Sequence, residues 1–145
     1  MGSRRQAREC ALQMLFQLDV TGDAVPEVLR SYMTGKTIAE DVRSFAAGLV
    51  GAVGQRREEI DRLIEAAGAS WRIERMAVVD RSILRLAIAE MLSDPATPAP
   101  VVINEAIEIA KRYSAPEAAS FVNGILDAVR KRLEAGEGGP SPAPA

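Results

Sequence analysis

Histidine is absent from the chain, and with it go the imidazole general base, the Ser–His and Cys–His nucleophile pairs, and any histidine-ligated zinc or di-iron site. The single cysteine, Cys10, can form neither an internal disulfide nor a thiolate cluster, which accords with a reducing cytoplasm. Aromatic residues make up 4% of the sequence, so the core has to be built from aliphatic side chains. No apolar run approaches the roughly 18–20 residues of a membrane span. The basic N-terminus, Met1 to Gln6, leads into neither a continuous apolar stretch nor a small-residue cleavage site, so no signal peptide is expected. There is no Gly-rich phosphate loop, Walker signature or metal-ligand cluster. No enzyme activity, cofactor or metal is therefore expected. Neither sign of charge dominates: 18 Lys and Arg against 20 Asp and Glu give a net −2. That argues against indiscriminate coating of nucleic acid and leaves room for a local basic patch.

What is present is a sequence of 145 residues, 48% hydrophobic and 26% charged, a length that predicts one domain with a true core. The last ten residues, 136–145, hold three Gly and three Pro with no bulky apolar side chain, which predicts a disordered tail behind a folded domain over 1–135. Almost every segment of that domain shows apolar residues at steps of three and four, and none sustains the alternation of a strand. Ser3-x-x-Gln6 reads as a capping box opening a helix through Ala7, Cys10, Ala11, Met14, Leu15 and Leu18, with Gly22 ending it. Pro26, behind Asp23 as a cap, starts a short helix that Thr34-Gly35 stops. A second capping box, Thr37-x-x-Glu40, opens a helix with Val42, Phe45, Ala46, Leu49, Val50 and Val53. The next carries Ile60, Leu63, Ile64 and Ala67, with Gly68 at its C′ position.

From about Met76 to Leu92 the pattern is apolar on two faces, the mark of a central helix. Pro95, Pro98 and Pro100 make the following segment a loop, and Pro100 leads into a helix buried through Val102, Ala106, Ile109, Ala110 and Tyr113. Ser114-x-x-Glu117 starts the last helix, with Ala118, Val122, Ile125, Val129 and Leu133 on its stripe. The expected fold is all-α, about seven helices in a single compact bundle.

Several residues stand out as candidates for function. Arg5, Arg8, Leu12 and Phe16 follow at three, four and four residues on a second face of the first helix, with Arg4 at its edge. Two guanidiniums followed by a ring suit an RNA strand, charge for phosphates and a flat surface for an unstacked base. The same pattern is also met by an ordinary helix with a wide apolar stripe and solvated arginines. Asp80 and Glu90 lie within apolar arcs of the central helix, so each needs a partner if buried. Either a salt bridge or a contact with another chain would supply it. As a catalytic pair they are too far apart, ten residues of helix spanning about 15 Å. Gly124, inside the helical pattern of Phe121-Val-Asn-Gly124, predicts a close approach to the backbone, by a packed neighbouring helix in preference to a ligand. Lys111 and Arg112 are accounted for by the negative end of the helix dipole, and Cys10 by burial on the core face.

Three blocks of sequence are more specific than their periods. Arg5-Gln-Ala-Arg-Glu-Cys-Ala11 resembles the arginine-rich opening of the NusB family of bacterial transcription antitermination factors. Val79-Asp-Arg-Ser-Ile-Leu-Arg-Leu-Ala-Ile-Ala-Glu90 resembles that family's central helix. Pro100-Val-Val-Ile-Asn-Glu-Ala-Ile-Glu-Ile-Ala-Lys111 and Phe121-Val-Asn-Gly-Ile-Leu-Asp127 resemble its C-terminal signature. The resemblance runs over about 4–133 and implies seven helices in two small bundles packed together. It further implies a non-enzymatic role, in which the protein pairs with NusE, a small-subunit ribosomal protein, to bind the boxA element of nascent RNA. The complex then helps RNA polymerase resist termination, notably on ribosomal RNA operons.

Carried over by position, Arg4, Arg5 and Arg8 match the arginine-rich motif, Phe16 an aromatic position, Phe121 and Asn123 the block near the RNA face, and Asp80 an acidic position near the NusE contact. Gln6 interrupts what can be a denser arginine cluster. A similar domain also opens a ribosomal RNA cytosine methyltransferase, but such an enzyme needs a methyl-donor domain with a Gly-rich loop and a catalytic Cys, and the one Cys here lies in the first helix. A helical adaptor without RNA contact is a third reading. The free protein as a monomer, or as a homodimer burying the arginine face, fits the same residues.

Overall fold

The structure, a computed structural model, describes residues 2–68 and 72–136. Seven α-helices make up the described part: α1 Ser3–Thr21, α2 Val25–Met33, α3 Glu40–Gln55, α4 Arg57–Ala67, α5 Val78–Ser93, α6 Ala99–Tyr113 and α7 Ala118–Glu134, with a 3₁₀ turn at Ile73–Arg75. Helices α1, α2 and α3 pack on one another, and α4, α6 and α7 gather around α5. Because α5 also lies against α1 and α3, it joins the two bundles into one core. Its two apolar faces explain this: every residue from Ser82 to Glu90 is buried. The core is aliphatic, as the shortage of aromatics requires, with Met14, Ile60, Ile64, Ile83, Leu84, Ile88 and Leu126 fully enclosed. The expected tail lies outside the described residues except for Gly136.

The helix stops follow local chemistry. Gly22 takes φ +75° and its N–H reaches the Leu18 carbonyl, a left-handed cap open to glycine. Pro26 and Pro100 occupy first-turn positions of α2 and α6, where a missing N–H costs nothing. The three expected side-chain starts are corrected. Helix α1 begins at Ser3 itself behind Gly2, α3 begins at Glu40 behind Ala39, and α7 begins at Ala118 behind Glu117, each without a side-chain cap. Nor does Asp23 cap α2, which starts behind Ala24. A capping residue needs extended backbone, and Ser3 already lies in the first turn. Ser114 instead donates its hydroxyl to Asp80 across to α5. At α3, Glu40 and Asp41 in the first turn complement the positive end of the helix dipole.

The close approach expected at Gly124 is absent: a Cβ there would meet nothing within 4 Å, and the residue faces outward. The crowded glycines are Gly54, where a Cβ would stand 2.9 Å from Val25 Cγ2, and Gly68, where it would stand 3.1 Å from Ile125 Cδ1. Gly68 serves α4 with φ −107°, so its small size matters there and a left-handed conformation does not.

Candidate nucleic-acid and partner interfaces

The first turns of α1 carry three arginines to three different environments. Arg8 turns inward between α5 and α6. Its Nε and Nη2 donate to the two Glu90 oxygens at 2.8 and 2.6 Å, and Glu105 Oε1 lies 3.9 Å from Nη1. The pair is almost closed from solvent, with side chains 7% and 1% exposed. The hydrogen bond to Glu90 raises the Arg8 pKa against the lowering effect of burial, so the guanidinium stays charged. The expectation of Arg8 on a solvent face is therefore corrected. It supplies the partner that Glu90, buried in the central helix, required.

Arg5 lies at the surface, 52% exposed, and donates from Nε and Nη2 to Glu105 at 3.0 and 2.9 Å. That fork holds the Glu105 carboxyl below its ordinary range, first through the Arg5 hydrogen bond. Arg4, 60% exposed, reaches Asp94 at 3.5 Å and stacks its guanidinium over the Phe45 ring at 4.0 Å. Further along α1, Leu12 is buried and Phe16 is 42% exposed. One azimuth of α1 is thus covered in its middle by neighbouring helices and open at both ends. Beside Arg5, the seam between α1 and α6 continues with Arg112 to Glu9 at 3.1 Å and Lys111 to Glu108 at 3.4 Å.

The C-terminal candidates separate. Phe121 and Asp80 line one groove of about 320 Å³ with Arg75, Met76, Ala77, Ala115 and Ala118. Asn123 lines another, of about 310 Å³, with Pro100, Ile103, Asn104, Asp127 and Arg130. Two residues along a helix turn by about 200°, so Phe121 and Asn123 cannot share a face. Phe121 instead joins Asp80.

Sequence reasoning missed a polar cluster at the junction of the bundles. Arg81 donates to Asp19 at 2.7 and 3.0 Å and, through Nη1, to the Ile73 carbonyl at 3.2 Å. Arg85, buried, forks onto Asp61 at 2.9 and 3.1 Å and reaches Asp19 at 3.3 Å. Burial pushes the Asp19 carboxyl up, but the Arg81 hydrogen bond and the charges of Arg81 and Arg85 outweigh it and hold the group below the ordinary carboxylate range. The signal was available: Arg81 and Arg85 stand four apart on a central helix that is apolar on two faces, and arginines enclosed there require acidic partners. Among the described residues no group of His, Cys, Asp and Glu is placed to hold a metal ion. No helix among them is long and apolar enough to cross a membrane.

Two helical bundles fused through α5, with an arginine-edged helix end and a groove of mixed apolar and acidic lining, define a protein built to present binding surfaces. The NusB family model matches residues 5–131. A transcription antitermination protein NusB of Koribacter versatilis is 51% identical over 135 residues, 92% of either chain. Another, of Desulforapulum autotrophicum, is 43% identical over 141 residues, covering 94% of this chain and 99% of the relative. The structure of T. maritima NusB superposes with a TM-score of 0.82 at 35% identity over 88% of this chain and 90% of that one. A crystal structure of antitermination factors NusB and NusE in complex with double-stranded RNA matches with a TM-score of 0.82 at 30% identity, over 90% of this chain and 98% of that one. The chain belongs to the NusB family of transcription antitermination proteins, as its three sequence blocks implied.

Proposed function

We propose that the chain acts in the bacterial cytoplasm as a non-enzymatic antitermination factor. With a NusE ribosomal protein it binds boxA RNA of nascent transcripts, notably from ribosomal RNA operons, and helps RNA polymerase resist termination. The observation that carries this reading is the backbone match over 90% of the chain to a NusB bound to NusE and RNA, in a molecule whose Arg4 and Arg5 stand open at the N-terminal end of α1.

In this reading Arg4 and Arg5 contact phosphates, as long cationic side chains on an exposed helix end do. Phe16, exposed along the same helix, offers a ring to an unstacked base. Arg8 supports the surface from inside, since its bond to Glu90 fixes the first turns of α1 against α5. Asp80 faces NusE, and Phe121 in the same groove brings the RNA and NusE surfaces together. Asn123, exposed on the opposite face of α7, adds a polar contact to the strand. The test is a mobility shift of boxA RNA with this protein, with its NusE, and with both. Retardation that is strongest with both is the expected result. No shift under any combination at low salt would overturn the proposal and leave the helical adaptor without RNA contact.

A further inference from the structure

We infer that the groove between the N-terminal end of α1 and the middle of α3 is a nucleobase subsite, in which a base of single-stranded RNA stacks on the Arg4 guanidinium backed by Phe45. The inference rests on the reading of the protein as an RNA binder and assigns it a recognition element on α3, a helix no part of that reading uses. The groove measures about 530 Å³ and is lined by Ser3, Arg4, Asp41, Ser44, Phe45 and Gly48.

Its floor is already a stack. The Arg4 guanidinium lies 4.0 Å from the Phe45 ring centroid, and Arg8, fixed by Glu90, stands 5.8 Å from the same ring. Phe45 is half-buried and packed on the core, so the ring is held in place. A guanidinium is planar and weakly hydrated, so its N–H edge meets a phosphate while the face turned away from Phe45 takes a second flat group, the Arg4 side chain being 60% exposed. Ser3, Asp41 and Ser44 surround this platform with hydroxyl and carboxylate groups. Asp41 Oδ1 accepts the Val42 N–H, which leaves Oδ2 as an acceptor for a base amino or imino hydrogen.

The occupant follows from this lining. An aliphatic anchor from a protein partner would take the open face of the Arg4 guanidinium and the Asp41 Oδ2 out of water while offering neither a polar contact, at a cost. A base satisfies both, with a π-face for the guanidinium and a polar edge for the carboxylate and hydroxyls. Its phosphate would lie toward the first turn of α1, where no side chain caps the free N–H groups and Arg5 stands next to Arg4.

Gly48 supplies a test that leaves the fold intact. A Cβ there meets nothing within 4 Å, so Gly48→Leu starts from an open position on the groove wall and improves helix propensity. Binding of single-stranded boxA RNA carrying 2-aminopurine at successive positions is measured by fluorescence for the complex with NusE, using wild type, Gly48→Leu, Phe45→Leu and Arg5→Ala. Gly48→Leu is expected to keep or raise the melting temperature. Both groove variants should weaken RNA binding about five- to a hundredfold, the loss of one stacked base, with an unchanged salt slope. Quenching should be lost at one RNA position only. Wild-type affinity and quenching in Gly48→Leu, with Arg5→Ala weakened, would overturn the subsite and leave RNA binding in place. A wild-type complex that binds no RNA would overturn both readings.

Discussion

Replacing Arg8 by Met removes one charge from a nearly dry ion pair and keeps the aliphatic stem that packs along α1. Glu90 is then left 1% exposed on the central helix without the two hydrogen bonds, at 2.8 and 2.6 Å, that balanced its burial. Glu105, whose oxygen lies 3.9 Å from the lost guanidinium, adds a second carboxylate with reduced compensation. Breaking a buried pair by removing one partner costs about 3–5 kcal/mol. At roughly 3 °C per kcal/mol for a domain of this size, the melting temperature should fall by about 9–15 °C.

Arg5→Ala removes an equally well-aligned fork, but that guanidinium is 52% exposed and screened by water, so the loss should be far smaller than for Arg8→Met. The double change Arg8→Met with Glu90→Leu should recover most of the Arg8→Met loss, because no charge is then stranded in the core. Urea denaturation of the four proteins, followed by far-ultraviolet circular dichroism, measures each term. An Arg8→Met loss under about 1 kcal/mol, or a double variant no more stable than Arg8→Met, would refute the assignment of Arg8 to the interior.

Gly124→Ala should stabilise the protein by about 0.8–1.0 kcal/mol, since the position is helical and open, and a lowered melting temperature would reveal a neighbour that the geometry excludes. The Asp19 carboxyl is depressed in the folded state, so its contribution is fully present above the ordinary aspartate value of about 3.9 and is lost as pH falls through the lower folded value. In denaturation series from pH 6 to pH 2, the stability difference between wild type and Asp19→Asn should therefore shrink toward the acid end, and a difference that stays constant would contradict the Asp19–Arg81 pairing.

Periodicity carried the fold. The two apolar faces of α5 marked it as the element joining the bundles, and the stripes of α3, α6 and α7 named most of the buried residues. What periodicity yields is an azimuth on one helix. It does not say which turns a neighbour covers, and so Arg5, Arg8, Leu12 and Phe16 read as one face although Arg8 and Leu12 are enclosed. The need of Glu90 for a partner was legible from its apolar surroundings, but its partner lies 82 residues away and only the packing of α1 on α5 brings it there. The same reasoning applied to Arg81 and Arg85 shows their need for acidic partners, and packing alone brings Asp19 and Asp61 to them. The caps failed for a different cause: a Ser or Thr three residues before Glu or Gln marks a helix start only when the chain is still extended at that residue, which depends on where the first turn docks. At Gly124 a residue of poor helix propensity marks no packed neighbour, because the glycine faces outward.

The central claim, an RNA interface carried by the open end of α1, is tested most directly by the salt dependence of boxA binding. Affinity of the complex with NusE is measured over a series of salt concentrations for wild type and for Arg4→Ala with Arg5→Ala. Each lost phosphate contact on a single strand should reduce the slope of log K against log salt by about 0.7, so the double variant should bind more weakly with a slope smaller by about 1.4. Unaltered affinity and slope in the double variant would contradict the account and move the RNA to another face of the molecule.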